Sequence, residues 1–154
     1  MPGERRWQGC LGLQKTMVLQ RGFISFDISG LTGVTIQNAT LTFSPFETGG
    51  DLSNFEPLYI AVVDYSTINF NWSNINLLFN LTGNSIQSFP ASTNGKITCN
   101  SSNLKAFLQN AVSNGKSRFQ IRIHFALPTD NDGSWYYWKY NPNGINLNVT
   151  YLPK

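Results

Sequence analysis

The chain has 154 residues, of which 12% are charged and 41% hydrophobic, and a formal net charge of +3. That length fits one domain able to bury roughly two-thirds of its unfolded surface without staples; Asn, Ser, Thr and Gln supply the polarity that charges usually would, as in extracellular β-proteins. Arg5, Arg6 and Lys15 carry much of the positive excess, with no Lys/Arg cluster interleaved with stacking aromatics, which argues against a nucleic-acid partner; no apolar run approaches the roughly 20 residues of a bilayer-spanning helix, which argues against membrane insertion.

Residues 1–16 read as an irregular N-terminal segment, and Gln14 and Lys15 interrupt any apolar core that would make it a signal peptide. A single β-sandwich domain is expected over 17–154. Met17 to Ile28 reads as a strand with Ile24, Phe26 and Ile28 on one side, and Ser29 to Gly33 as a turn. The next strand runs from Ile36 to Phe43, with Ala39, Leu41 and Phe43 inward and Asn38, Thr40 and Thr42 outward. Ser44 to Pro57 reads as a long polar connection. Leu58 to Val63 is apolar on both sides, as in a strand covered on both faces.

Leu77 to Phe79 reads as a short strand among Asn-rich loops, Gly83 to Gly95 as connection, and Lys96 to Cys99 as another short strand. One helix is expected at about 101–114. Ser101 or Ser102 caps it, Leu104, Phe107, Leu108, Ala111 and Val112 form its stripe, and Gly115 ends it. Residues 118–127 then alternate strictly. Phe119, Ile121, Ile123, Phe125 and Leu127 face a core; Arg118, Gln120, Arg122 and His124 face water, the two arginines making a modest basic stripe. Beyond the turn Asp130 to Gly133 come the aromatic strand Trp135 to Tyr140, the turn Asn141 to Gly144, and a last strand with Ile145, Leu147, Val149 and Tyr151 on one side. At least seven strands with turn signals between them predict an all-β, jelly-roll-like antiparallel sandwich with that one short crossover helix.

Several elements together resemble a family. Arg21-Gly-Phe-Ile-Ser-Phe-Asp-Ile-Ser-Gly-Leu31, Val34-Thr-Ile36 and Asn38-Ala-Thr-Leu41 are similar to the opening of DNRLRE-type, carbohydrate-binding-module-like domains of bacterial and archaeal surface proteins. The helix with Leu104, Phe107 and Leu108, the Gly115 stop, Phe119 to Ile123, the Asn-Asp-Gly turn and Leu147-Asn-Val-Thr-Tyr151 follow in the same order, so the resemblance spans residues 18–151. It implies a β-sandwich and a non-catalytic role within secreted enzymes, adhesins or surface layers. Members of that family carry a further strand or two before the segment matching Arg21.

Candidate sites each have a plain structural alternative. Trp135, Tyr136, Tyr137, Trp138 and Tyr140 form an aromatic strand whose two sides cannot both be core; the outer set would stack on sugar rings or on a partner, or pack under loops. Asp130, Asn131 and Asp132 before Gly133 offer alternating oxygen ligands for Ca2+, with Asp64 as a distal carboxylate, or form an Asx-rich turn. Asn38, Asn71, Asn80, Asn100 and Asn148 begin glycosylation sequons. Cys10 and Cys99 permit one disulfide, or stand as separate thiols, and have no metal-ligand spacing. His124, the single histidine, reads as a solvated strand residue; no nucleophile elbow, P-loop, dinucleotide fingerprint or metalloprotease motif accompanies it.

The expectation is a non-enzymatic module, extracellular or at the cell surface, that binds a polysaccharide or surface glycan or serves adhesion or structure. A self-assembling subunit of a filament, tube or sheath, exchanging strands with identical neighbours, is the competing class. An accessory module of a polysaccharide-active enzyme is the third.

Overall fold

The alternating segments close into two antiparallel sheets packed on one another, in a computed structural model that describes residues 6–8, 21–126 and 137–153. The first sheet has the order β1 (Arg6–Gln8), β2 (Arg21–Asp27), β7 (Arg118–Phe125), β4 (Leu58–Val62) and β5 (Asn84–Phe89). The second is built on the 15-residue β3 (Thr35–Gly49). Along one of its edges lies β6 (Gly95–Cys99); along the other lie β9 (Ile145–Leu152) and then β8 (Tyr137–Tyr140), paired to successive stretches of β3. This is the expected all-β sandwich.

The period of two decides what fills it. Ile24, Leu58, Ile60, Phe119, Ile121 and Ile123 from the first sheet meet Ile36, Leu41, Phe43, Phe46 and Ile97 from the second, all buried in one core. Helix α2 (Ser102–Ser113) closes one end with Leu104, Leu108 and Val112. Full burial of a leucine stabilises by about 1.5–3 kcal/mol, so that stripe holds the helix in place. Its ends follow their sequence signals. The Ser101 hydroxyl accepts the Leu104 N–H at 3.2 Å, and Gly115, at φ +66°, turns the chain so that the Lys116 N–H reaches the Ala111 carbonyl at 3.0 Å. Gln109 ties the helix to the start of β3, its Oε1 accepting the Ile36 N–H at 2.7 Å.

Four expectations need correction. The connection expected from Ser44 is still strand as far as Gly49; β3 passes Pro45 with a register shift between Phe43 and Phe46, the irregularity a proline requires in a ladder. Leu77 to Phe79 belongs to a one-turn helix, α1 (Ile75–Phe79), because only Leu78 of that run is buried while Leu77 stays 59% exposed. Gly83 to Gly95 contains β5, whose mostly polar residues hide the alternation. The segment expected to be irregular supplies β1, in register with β2 through Arg6↔Ile24 and Gln8↔Gly22.

One close approach fixes the turn between β8 and β9. A Cβ on Gly144 would lie 1.6 Å from the Ser44 carbonyl oxygen, whereas one on Gly30 would meet nothing within 4 Å. Gly144→Ala is therefore expected to destabilise by about 1–3 kcal/mol through forced backbone movement. Gly30→Ala should stabilise slightly, by about 0.5 kcal/mol, through the unfolded chain. Urea denaturation of the two variants measures the contrast, and equal midpoints would contradict this packing.

Candidate functional site

The outer side of the first sheet was expected to be wet, and it is not. Gln120 and Arg122 are only 8% and 7% exposed. Residues 63–83 fold back over the sheet and lay a second, smaller core on it: Phe23, Val63, Tyr65 and Leu78, with Ile68, Phe70 and Leu81 packed against them. Phe23, Tyr65 and Phe70 meet edge to face, with ring centroids 5.1–5.5 Å apart. The polar residues of β7 clamp this cover. The Gln120 backbone carbonyl accepts the Val63 N–H at 3.1 Å and its side-chain Oε1 accepts the Tyr65 N–H at 2.9 Å. The Arg122 guanidinium donates to the Leu81 carbonyl. Gly83 lets the returning chain pass Val63, Ala61 and Arg122 within 3.1–3.2 Å of where its Cβ would be.

Beyond the edge of the cover, one row of side chains runs across three strands. Register places Arg21 beside His124 and His124 beside Tyr59. The Tyr59 ring lies 5.5 Å from the imidazole, tilted by 30°. Arg122, two residues from His124 on the same side of β7, donates its Nε–H to His124 Nδ1 at 3.3 Å. That bond requires the neutral tautomer with its proton on Nε2. Burial, then Arg122, then Arg21 push the His124 pKa down to about 3. Burial also lowers the pKa of Arg21 and of Arg122, the latter further through Arg21. The expectation of a solvated histidine is thus corrected: His124 is half-buried and held neutral between two cations.

Three other pairs of charges are matched. Arg118 lies 3.8 Å from Asp27 and bonds the Ser25 hydroxyl at 2.9 Å. Asp64 accepts from the Ser66 hydroxyl at 2.6 Å and from Lys116 at 3.0 Å; these bonds, Ser66 first, hold its carboxyl down at about 2. Lys139 pairs with Glu47 at 3.2 Å on the second sheet. Arg21 and Arg122 have no carboxylate partner among the described residues.

Of the aromatic strand, Tyr140 is core, 7% exposed and edge-on to Phe43 at 6.0 Å, which removes it from any binding face. Tyr137 and Trp138 pair through their backbones with Gly49 and Thr48; Trp135 and Tyr136 lie outside the described residues. So do Asp130, Asn131 and Asp132, the candidate Ca2+ ligands, while Asp64 is committed to Ser66 and Lys116. Among the described residues no three His, Cys, Asp or Glu side chains gather where a metal could bind. Cys99 is a free, fully buried thiol facing the core, pushed up to about 12 by burial; Cys10, the other half of the expected bridge, lies outside the described residues. All five sequon asparagines are exposed. Two of the sequons face each other across β3 and β9, Asn38 opposite Thr150 and Thr40 opposite Asn148. No helix among the described residues is long and apolar enough to cross a membrane.

The row of Arg21, Tyr59 and His124 with Arg122 escaped sequence reasoning because three strands far apart in the chain build it. The one local signal was Arg122 and His124 two apart in an alternating strand. Compared with known proteins, the chain matches no family model and no curated protein.

The neutral histidine sets a pH dependence. Its folded pKa of about 3 lies below the ordinary histidine value of 6.5, so between these values the unfolded chain binds more protons and stability falls as pH falls. The loss is at most about 1.4 kcal/mol per pH unit, less as solvent screens a half-buried ring. Asp64 adds to the loss only from the ordinary aspartate value of 3.8 down toward about 2. Chemical denaturation from pH 7 to pH 4 should show this slope in the wild type and a flatter profile in His124→Gln.

Proposed function

We propose that this chain is a non-catalytic module, extracellular or at the cell surface, that binds glycans or takes part in an adhesive or structural layer. The observation carrying the reading is the outer face of the second sheet. Across β3 and β9 the pairs Asn38–Thr150, Thr40–Asn148 and Thr42–Asn146 form a ladder of amides and hydroxyls, continued onto β6 by Thr98, with no charge in it. Such a face offers paired donors and acceptors at the spacing of adjacent strands, suited to rows of sugar hydroxyls. The resemblance of residues 18–151 to DNRLRE-type surface modules points the same way. So does His124, whose Nδ1 lone pair is engaged by Arg122 and therefore not available as a general base.

In this reading stacking is assigned, from the alternation in the sequence alone, to Trp135 and Tyr137. On a glycan array the wild type should retain one or more polysaccharides, and Thr42→Lys or Trp135→Ala should release them. Absence of binding to every polysaccharide would count against the module.

A second reading, a self-assembling subunit, is favoured by β9. This eight-residue edge strand pairs only with β3 among the described residues and contains no charged residue or proline, the usual guards of an exposed edge. Ile145, Leu147 and Val149 pack on the core yet stay part-exposed, and Tyr151 and Leu152 are 46% and 56% exposed. An identical chain adding a strand there would complete the second sheet. Size exclusion and negative-stain imaging should then reveal oligomers that Thr150→Lys disperses, whereas a strict monomer at high concentration removes this reading.

A further inference from the structure

We infer that Arg21, Arg122 and His124 form a binding site for a single oxyanion, the carboxylate or sulfate of an acidic saccharide. The inference stands on charge and geometry apart from the amide and hydroxyl ladder, so its failure would leave the glycan-face reading untouched. Arg122 is 7% exposed, and among the described residues it bonds a backbone carbonyl and a neutral imidazole, neither of which carries a negative charge. Arg21 is half-buried, its Nε is sealed from water, and that atom has no hydrogen-bond partner. An unpaired guanidinium taken out of water is costly, and proteins compensate such groups with a carboxylate or a bound anion.

No side chain in the described structure supplies that compensation. Asp27 belongs to Arg118, Asp64 to Lys116, Glu47 to Lys139, and Asp51 is turned onto Ser53. Glu56 makes no ion pair with either arginine. The geometry suits a ligand instead. Arg21 and Arg122 flank His124 from the neighbouring strand and from two residues along its own, and the bond at Nδ1 leaves the His124 Nε2–H as a third donor. Planar guanidinium forks match the spacing of carboxylate and sulfate oxygens. The Tyr59 ring on the far side of His124 provides an apolar wall against which a sugar bearing the anion would lie.

The test is calorimetric titration of the full chain with sodium sulfate and sodium galacturonate in the millimolar range, ionic strength being held constant with chloride. Saturable binding is expected, weakened about tenfold or more in Arg21→Gln, since hydrogen bonds to charged groups are lost. Lys105→Gln, a helix-surface change with the same loss of charge, should bind as the wild type does. Arg21 is partly exposed, so its replacement should fold, and an unchanged far-UV spectrum and melting midpoint verify that. Retention on immobilised polygalacturonate but not on dextran, lost in Arg21→Gln, identifies the acidic saccharide as the occupant. Binding of the small ions without retention supports the oxyanion site and overturns the saccharide. No saturation with either ion, or equal binding by Arg21→Gln, overturns the site.

Discussion

Strand β7 has to satisfy two cores at once, and the remaining structure is arranged around that constraint. It lies between β2 and β4 in the middle of the first sheet, so its backbone is paired along both edges. Phe119, Ile121 and Ile123 join the sandwich interior, while Gln120 and Arg122 on the opposite side are sealed by residues 63–83. A polar residue is tolerated there when it finds hydrogen-bond partners in the cover. Gln120 meets that condition with Val63 and Tyr65. Arg122 is tied down there by its bonds to the Leu81 carbonyl and to His124 and, among the described residues, keeps an uncompensated charge inside.

Alternation made the sandwich legible, and polarity misled where it stood in for exposure. Phe119 to Phe125, Ala39 to Phe43, the Ser101 cap and the Gly115 stop are local signals, each fixed within a few residues, and each lies where its pattern placed it. The cover is different. Phe70, Leu78 and Leu81 are spaced irregularly among asparagines, so no period marks them, and only contact with Phe23 and Tyr65 turns them into a layer. Without that layer Gln120 and Arg122 read as solvated. For the same reason the Arg21 row was hidden: its members are joined by register between strands far apart in sequence, a relation that no window of one strand contains.

The outer sides of the two sheets thus differ in chemical character although one fold supports both. On the first sheet, side chains of like charge are held together by packing that they would not choose on electrostatic grounds, with His124 kept neutral as a consequence. On the second, the paired residues Asn38, Thr40 and Thr42 of β3 and Asn146, Asn148 and Thr150 of β9 are all uncharged. The apolar interior is shared between them.

The uncharged ladder has an environmental consequence. Salt shortens the reach of charge to about 8 Å at physiological strength and about 3 Å in molar brine, but it leaves the dipoles of amides and hydroxyls almost untouched. A ligand bound to Asn38, Thr40, Thr42, Asn146, Asn148 and Thr150 would therefore hold alike in fresh water, seawater or evaporating pools, its grip set by dipoles rather than by ionic strength.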